Sequence, residues 1–111
     1  MDSKEELSKY YWGEDYNSKS QFTAIEVKDE KELEFQPPEA PKNSEFLVAN
    51  GFYFKSDGTL VNHRLSCGYM VDNGNWKLND NAIEMVIRGR TSNWKIVSLE
   101  PGKKLTLEYI K

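Results

Sequence analysis

The chain is poor in the residue types that most chemistry needs. It has a single cysteine, Cys67, which excludes an internal disulfide and any multi-cysteine zinc site. A single histidine, His63, leaves a catalytic base or a zinc site without a second imidazole. No glycine occurs between residues 14 and 50, so the carboxylates Glu26, Asp29, Glu30, Glu32, Glu34 and Glu39 do not form a calcium loop, which needs a glycine at its bend. No apolar run approaches the length of a membrane span. Of four prolines, three stand in one stretch, QPPEAPKNSE. Meanwhile Met1-Asp2-Ser3-Lys4 carries no export signal, which fits a native start and a start placed after a removed signal equally.

What is present is enough for one domain with a real core. The chain has 111 residues, of which 38% are hydrophobic and 13% aromatic, a share that argues against disorder. A chain of this size buries roughly 65% of the surface its unfolded form exposes. The net charge of −3 is uneven: residues 1–44 carry −5 and residues 45–111 carry +2. A basic excess so small and scattered excludes an extended phosphate-binding face, and nucleic acid is not an expected partner.

Residues 1–13 are expected to hold a short helix. Ser3 and Glu6 form a capping-box pattern, Leu7, Tyr10 and Tyr11 share one helical face, and Gly13 is the expected stop. QFTAIEV, residues 21–27, alternates as a strand does, and the charged run after it leads to a short strand ending at Phe35. The proline-rich segment 36–44 is neither helix interior nor central strand, and is expected to border a barrel opening or to cross one sheet.

From residue 45 the pattern becomes a series of hairpins. EFLVANGFYF and TLVNHRLS flank Asp57-Gly58; two β-rich runs flank Asn79-Asp80-Asn81; two more flank Pro101-Gly102. In the last run Leu105, Leu107 and Tyr109 share one face, and Lys104, Thr106 and Glu108 share the other. Six to eight strands at this spacing predict an all-β fold, an antiparallel meander that closes into a barrel to hide its edges.

The residues that carry these turns resemble a known family. Phe54, Asp57, Gly58 and Thr59, then Gly74, Trp76, Leu78, Asn81 and Ile83, then Trp94, Ile96, Leu99, Leu105 and Leu107 match the recurring pattern of the bacterial lipocalin-like domains over roughly residues 46–111. The family's first-strand Gly-x-Trp is replaced here by Tyr10-Tyr11-Trp12-Gly13. The resemblance implies a small, monomeric, usually non-enzymatic barrel of the cell envelope, with a lipid anchor lost together with an export signal. It transfers a fold, because the matching positions are turn and core positions.

Site candidates divide by how much company they keep. His63 shares a strand face with Val61 and Leu65, and Cys67 lies about 13 Å further along, too far for a catalytic pair. A histidine bonded into the core or lumen, and a cysteine that acts as a small hydrophobe, are the expectations. Gly89 between Arg88 and Arg90 is read as a bend and not as a phosphate site. No catalytic residue, metal ligand or cofactor is expected. Aromatic and aliphatic strand residues remain, and two readings of them stay open. They fill the barrel, or they line a cavity for one small apolar or amphipathic ligand, with Tyr69, Trp76, Met85, Ile87, Trp94, Ile96 and Tyr109 as the lining. The alternative function is a protein-interaction module that uses the acidic segment 26–39.

Overall fold

The structure, a computed structural model, describes residues 3–15, 18–38, 50–65 and 69–110. A helix α1 (Ser3–Lys9) leads into strands β1 (Tyr11–Asp15) and β2 (Ser18–Ile25). A 3-10 helix (Glu30–Glu34) follows, then β3 (Asn50–Phe54), β4 (Thr59–Leu65), β5 (Tyr69–Asn79), β6 (Ala82–Ile87), β7 (Arg90–Glu100) and β8 (Lys104–Tyr109). All pairings are antiparallel, and the eight strands close into a barrel in the order β1-β2-β8-β7-β6-β5-β4-β3.

The turns form where their chemistry is strongest. Gly58 has φ +95 and donates its N–H to the Lys55 carbonyl at 3.1 Å, while Asp57 accepts from both the backbone N–H and the hydroxyl of Thr59. Those two bonds hold the exposed Asp57 carboxyl below its ordinary pKa. Asp80 (φ 54) turns the chain into β6, and Gly102 (φ 69) turns it into β8. Strands β3 to β8 are thus a true meander.

The first hairpin breaks the meander. β2 pairs with β8 through Gln21–Thr106, Phe22–Leu105 and Thr23–Lys104, whereas β1 pairs with β3 through Tyr11–Tyr53, Trp12–Phe52 and Gly13–Gly51. β2 and β3 therefore run in the same direction with β1 between them, and the described part of the connection, residues 26–38, lies on the outside of the barrel. This connection is a strap. Its described part holds the 3-10 helix, capped by the Asp29 side chain on the Lys31 N–H at 2.9 Å. A strand was expected there, ending at Phe35. Phe35 instead leaves the 3-10 helix exposed, while Leu33 is buried beneath it. Of the proline-rich segment 36–44, residues 36–38 are described, with Pro37 buried, and the rest lies outside the described residues, as do 45–49.

Two cores result, one on each side of the sheet. Inside the barrel lie Trp12, Phe22, Phe52, Phe54, Leu60, Trp76, Ile83, Met85, Ile96, Leu105 and Leu107, with Leu7 of α1. Outside, under the strap, lie Tyr11, Ile25, Leu33, Tyr53 and Val61. The helix expected over residues 1–13 ends at Lys9 for this reason. Tyr11 faces the strap and Trp12 faces the interior, an alternation that only a strand provides. Gly13 sits within β1 and is not a helix stop. Gly51 carries a matching constraint. A Cβ there would collide with the Tyr11 hydroxyl and ring, so the Tyr11 ring crosses β3 only because that position has no side chain.

Candidate functional site

The two ends of the barrel differ in chemistry. At one end α1 forms a lid. The buried Leu7 reaches the interior cluster, its carbonyl accepts from Trp12 Nε1 at 3.0 Å, and the buried Glu6 carboxylate accepts from the Gly102 N–H at 2.9 Å. Below this lid the interior is packed with rings: Phe54 and Trp76 lie 5.0 Å apart, Phe52 and Phe54 5.9 Å, and Phe22 and Phe52 5.6 Å. Ring pairs at these separations fill the space between facing strands.

The opposite end is where β1, β4, β6 and β8 finish. Inward-facing registers at this end carry polar groups. Asp72 pairs across β4–β5 with Asn62, both buried. The Asp72 carboxylate accepts a hydrogen bond from Arg64 Nε at 3.0 Å through Oδ2 and forms an ion pair with Arg88, whose Nε lies 2.9 Å from Oδ1. Its side chain is 7% exposed, and those of Arg64 and Arg88 are 44% and 60% exposed. Asn62 donates to the Gly51 carbonyl at 2.8 Å and to Asn50 Oδ1 at 3.0 Å, and Asn50 donates to Glu14 at 3.3 Å. Beside this network stand half-buried Ile87 and Trp94, which pack on the interior cluster, and exposed Met70.

The seven residues expected to line a lumen do not form one lining. Trp76, Met85 and Ile96 are buried in the packed interior, and Trp76 and Met85 are direct cross-strand neighbours. There they fill the barrel, and Trp76 Nε1 donates to the Lys55 carbonyl at 2.7 Å. Ile87 and Trp94 stand at the rim. Tyr109 is not inside: it is 59% exposed, with its ring 5.0 Å from Trp94 in an edge arrangement. It is the last residue of β8, so no further turn of barrel covers it. Tyr69 opens β5, and its side chain lies outside the described residues. Cys67 lies outside them as well.

His63 is bonded into a core, but into the outer one and not the lumen. Its Nε2 donates to the Leu33 carbonyl of the strap at 2.7 Å, which leaves Nδ1 to accept from the Tyr11 hydroxyl at 2.9 Å. Burial pushes its pKa below the ordinary imidazole value, against the bond to Leu33, which raises it. With both nitrogens engaged and the ring wholly buried, His63 ties the strap to β1 and β4. Close by, the Tyr53 hydroxyl donates to Glu30 at 2.6 Å, and burial together with that carboxylate pushes the phenol pKa up to about 12. Between the strap and the outer faces of β4 and β5 runs a groove of about 430 Å³, lined by Glu30, Lys31, Leu33, Glu34, Lys55, Val61, Val71 and Asn73. Among the described residues no group of three His, Cys, Asp or Glu is placed to hold a metal ion. No helix is long and apolar enough to cross a membrane, among the described residues.

Sequence reasoning missed the Arg64–Asp72–Arg88 cluster. The signal was a charge in an inward register, since Arg64 alternates with Leu60 and Asn62. Placing Arg88 on the same carboxylate required the β5–β6 register, which puts Ile87 against Gly74, two residues beyond Asp72. A scan against protein-family models finds no match, and searches of curated proteins and of solved structures find none either.

Proposed function

We propose that this protein is a non-enzymatic binding module that takes a small amphipathic ligand at the barrel end opposite α1. The observation that carries this reading is the contrast between the ends. One end is sealed by a helix over packed rings. The other combines an apolar rim of Ile87, Trp94 and Tyr109 with a charged cluster on inward registers. Apolar contact area beside a few fixed polar groups is the usual composition of a small-molecule site. Because Trp76, Met85 and Ile96 occupy the interior, the ligand rests on the core and does not enter it. The resemblance to bacterial lipocalin-like domains supports a binding role and a setting in the cell envelope.

Backbone amide NMR of the labelled chain, titrated with single-chain amphiphiles, tests this. Saturable shifts at Met70, Ile87, Trp94 and Tyr109, with Phe54 and Leu105 unmoved, are expected. Shifts confined to Phe54, Trp76 and Leu105 would mean a deep lumen site, and no shift at all would end the proposal.

A second reading rests on the strap. Phe35 is 74% exposed between Glu32 and Glu34 and the groove beside Leu33, which suits a protein partner with basic and apolar side chains. Shifts along Glu30–Phe35 on adding a basic amphipathic peptide, with the far end silent, would favour it.

A further inference from the structure

From the geometry we infer that Arg64 and Arg88 form a recognition site for an oxyanion head group, carboxylate or phosphate, with Asp72 as the buried residue that orients them. The inference rests on the proposed function, because the head group belongs to the amphipathic ligand of that same barrel end.

Three observations converge. First, the charges do not balance. Two guanidiniums share one carboxylate, and Arg90 stands on the next inward register beside Ile87. Glu14, the other carboxylate on an inward register here, is engaged by Asn50. Two like charges held within hydrogen-bond reach of one group repel each other, and a second anion relieves that repulsion.

Second, both arginines reach Asp72 through the same nitrogen, Arg64 in a hydrogen bond and Arg88 in an ion pair. Each arginine meets Asp72 through Nε, at 3.0 and 2.9 Å. Neither makes another ion pair among the described residues. The terminal Nη nitrogens of two half-exposed side chains are left for an external acceptor. A guanidinium whose plane is fixed by a buried carboxylate is preorganised for two-oxygen recognition, which a free surface arginine is not.

Third, Arg88 holds an unusual backbone. It has φ 54 and Gly89 has φ 74, so both central residues of the β6–β7 turn are left-handed. Such turns favour Asn, Asp or Gly at the first central position, and an arginine there is disfavoured. The strained position turns its side chain onto Asp72. A merely structural turn gains nothing from it.

The test uses the labelled full chain and four probes: decanoate, decyl phosphate, decyl maltoside and inorganic phosphate. Amide shifts at Ile87 and Trp94 read the apolar rim, and the Nε–Hε signals of Arg64 and Arg88 read the head-group site. Decanoate or decyl phosphate is expected to shift both sets and to bind at least about tenfold tighter than the maltoside, the scale of one charge-assisted hydrogen bond. Whichever of the two binds tighter assigns the head group. In Arg88→Gly, which the left-handed turn accepts, the anionic-over-neutral ratio is expected to fall about tenfold. Equal binding of maltoside and anionic amphiphiles, or an unchanged ratio in Arg88→Gly, overturns this inference and leaves the binding-module reading standing. Inorganic phosphate shifting the two arginines while no amphiphile moves the rim sustains the anion site and overturns the amphiphile reading. Silence from all four probes overturns both.

Discussion

His63 shows how one residue's role depends on what closes over it. In β4 it alternates onto the outer face with Val61, opposite Gly51 of β3, and the strap then covers it. The groups that face it are the Tyr11 hydroxyl and the Leu33 carbonyl, with the Tyr53–Glu30 pair in the same cluster. Burial of the ring penalises its charged form, so the folded chain favours the neutral ring. Below the ordinary value of about 6.5 the unfolded chain takes up a proton that the folded chain refuses, so stability falls as pH drops through that interval and is fully present above it. An imidazole NMR titration is expected to give a midpoint below 6.5. A midpoint at or above it would mean that the ring is more solvated than the structure shows.

The strap is the element that distinguishes this barrel from a simple meander. Leu33 and Pro37 are the buried side chains of its described part, and two polar bonds flank Leu33: its carbonyl to His63 and Glu30 to Tyr53. Leu33→Ala is expected to cost about 2–4 kcal/mol, because the cavity left under a short 3-10 helix closes poorly. Phe35→Ser, two residues on and exposed, is expected to change stability by less than about 0.5 kcal/mol. Urea unfolding of both variants checks this. Equal effects would show that the strap rests on the barrel without packing into it.

At the scale of the whole molecule the two ends of the barrel differ in polarity, the contrast on which the proposed function rests. Trp12 and Trp76 lie in the packed interior, and Trp94 stands half-buried at the opposite rim. Acrylamide is expected to quench mainly Trp94, so Trp94→Phe should remove most of the quenchable fluorescence, and Trp76→Phe should leave it. The reverse result would place the solvent-accessible opening at the α1 end and move the ligand site with it.

Much of the frame was legible from residue types alone. Asp57-Gly58, Asp80 and Pro101-Gly102 mark their turns because positive φ and side-chain-to-backbone bonds are local matters. Leu105 and Leu107 alternate with Thr106 and Glu108 because β8 has one buried face and one wet face. The run Phe52-Tyr53-Phe54 signals burial on both faces, although nothing local says what covers the second face. That was decided only in three dimensions. β1 inserts between β2 and β3, and the described strap, residues 26–38, crosses the outside of the barrel and turns Tyr11, Tyr53, Val61 and His63 into a second core. Arg64, Asp72 and Arg88 come together through the registers of two successive hairpins, β4–β5 and β5–β6. Local chemistry sets where a chain turns and which face of a strand is apolar. Which residues meet across strands depends on hydrogen-bond register, from which the charged cluster follows, and on closure between segments far apart in the chain, from which the strap follows.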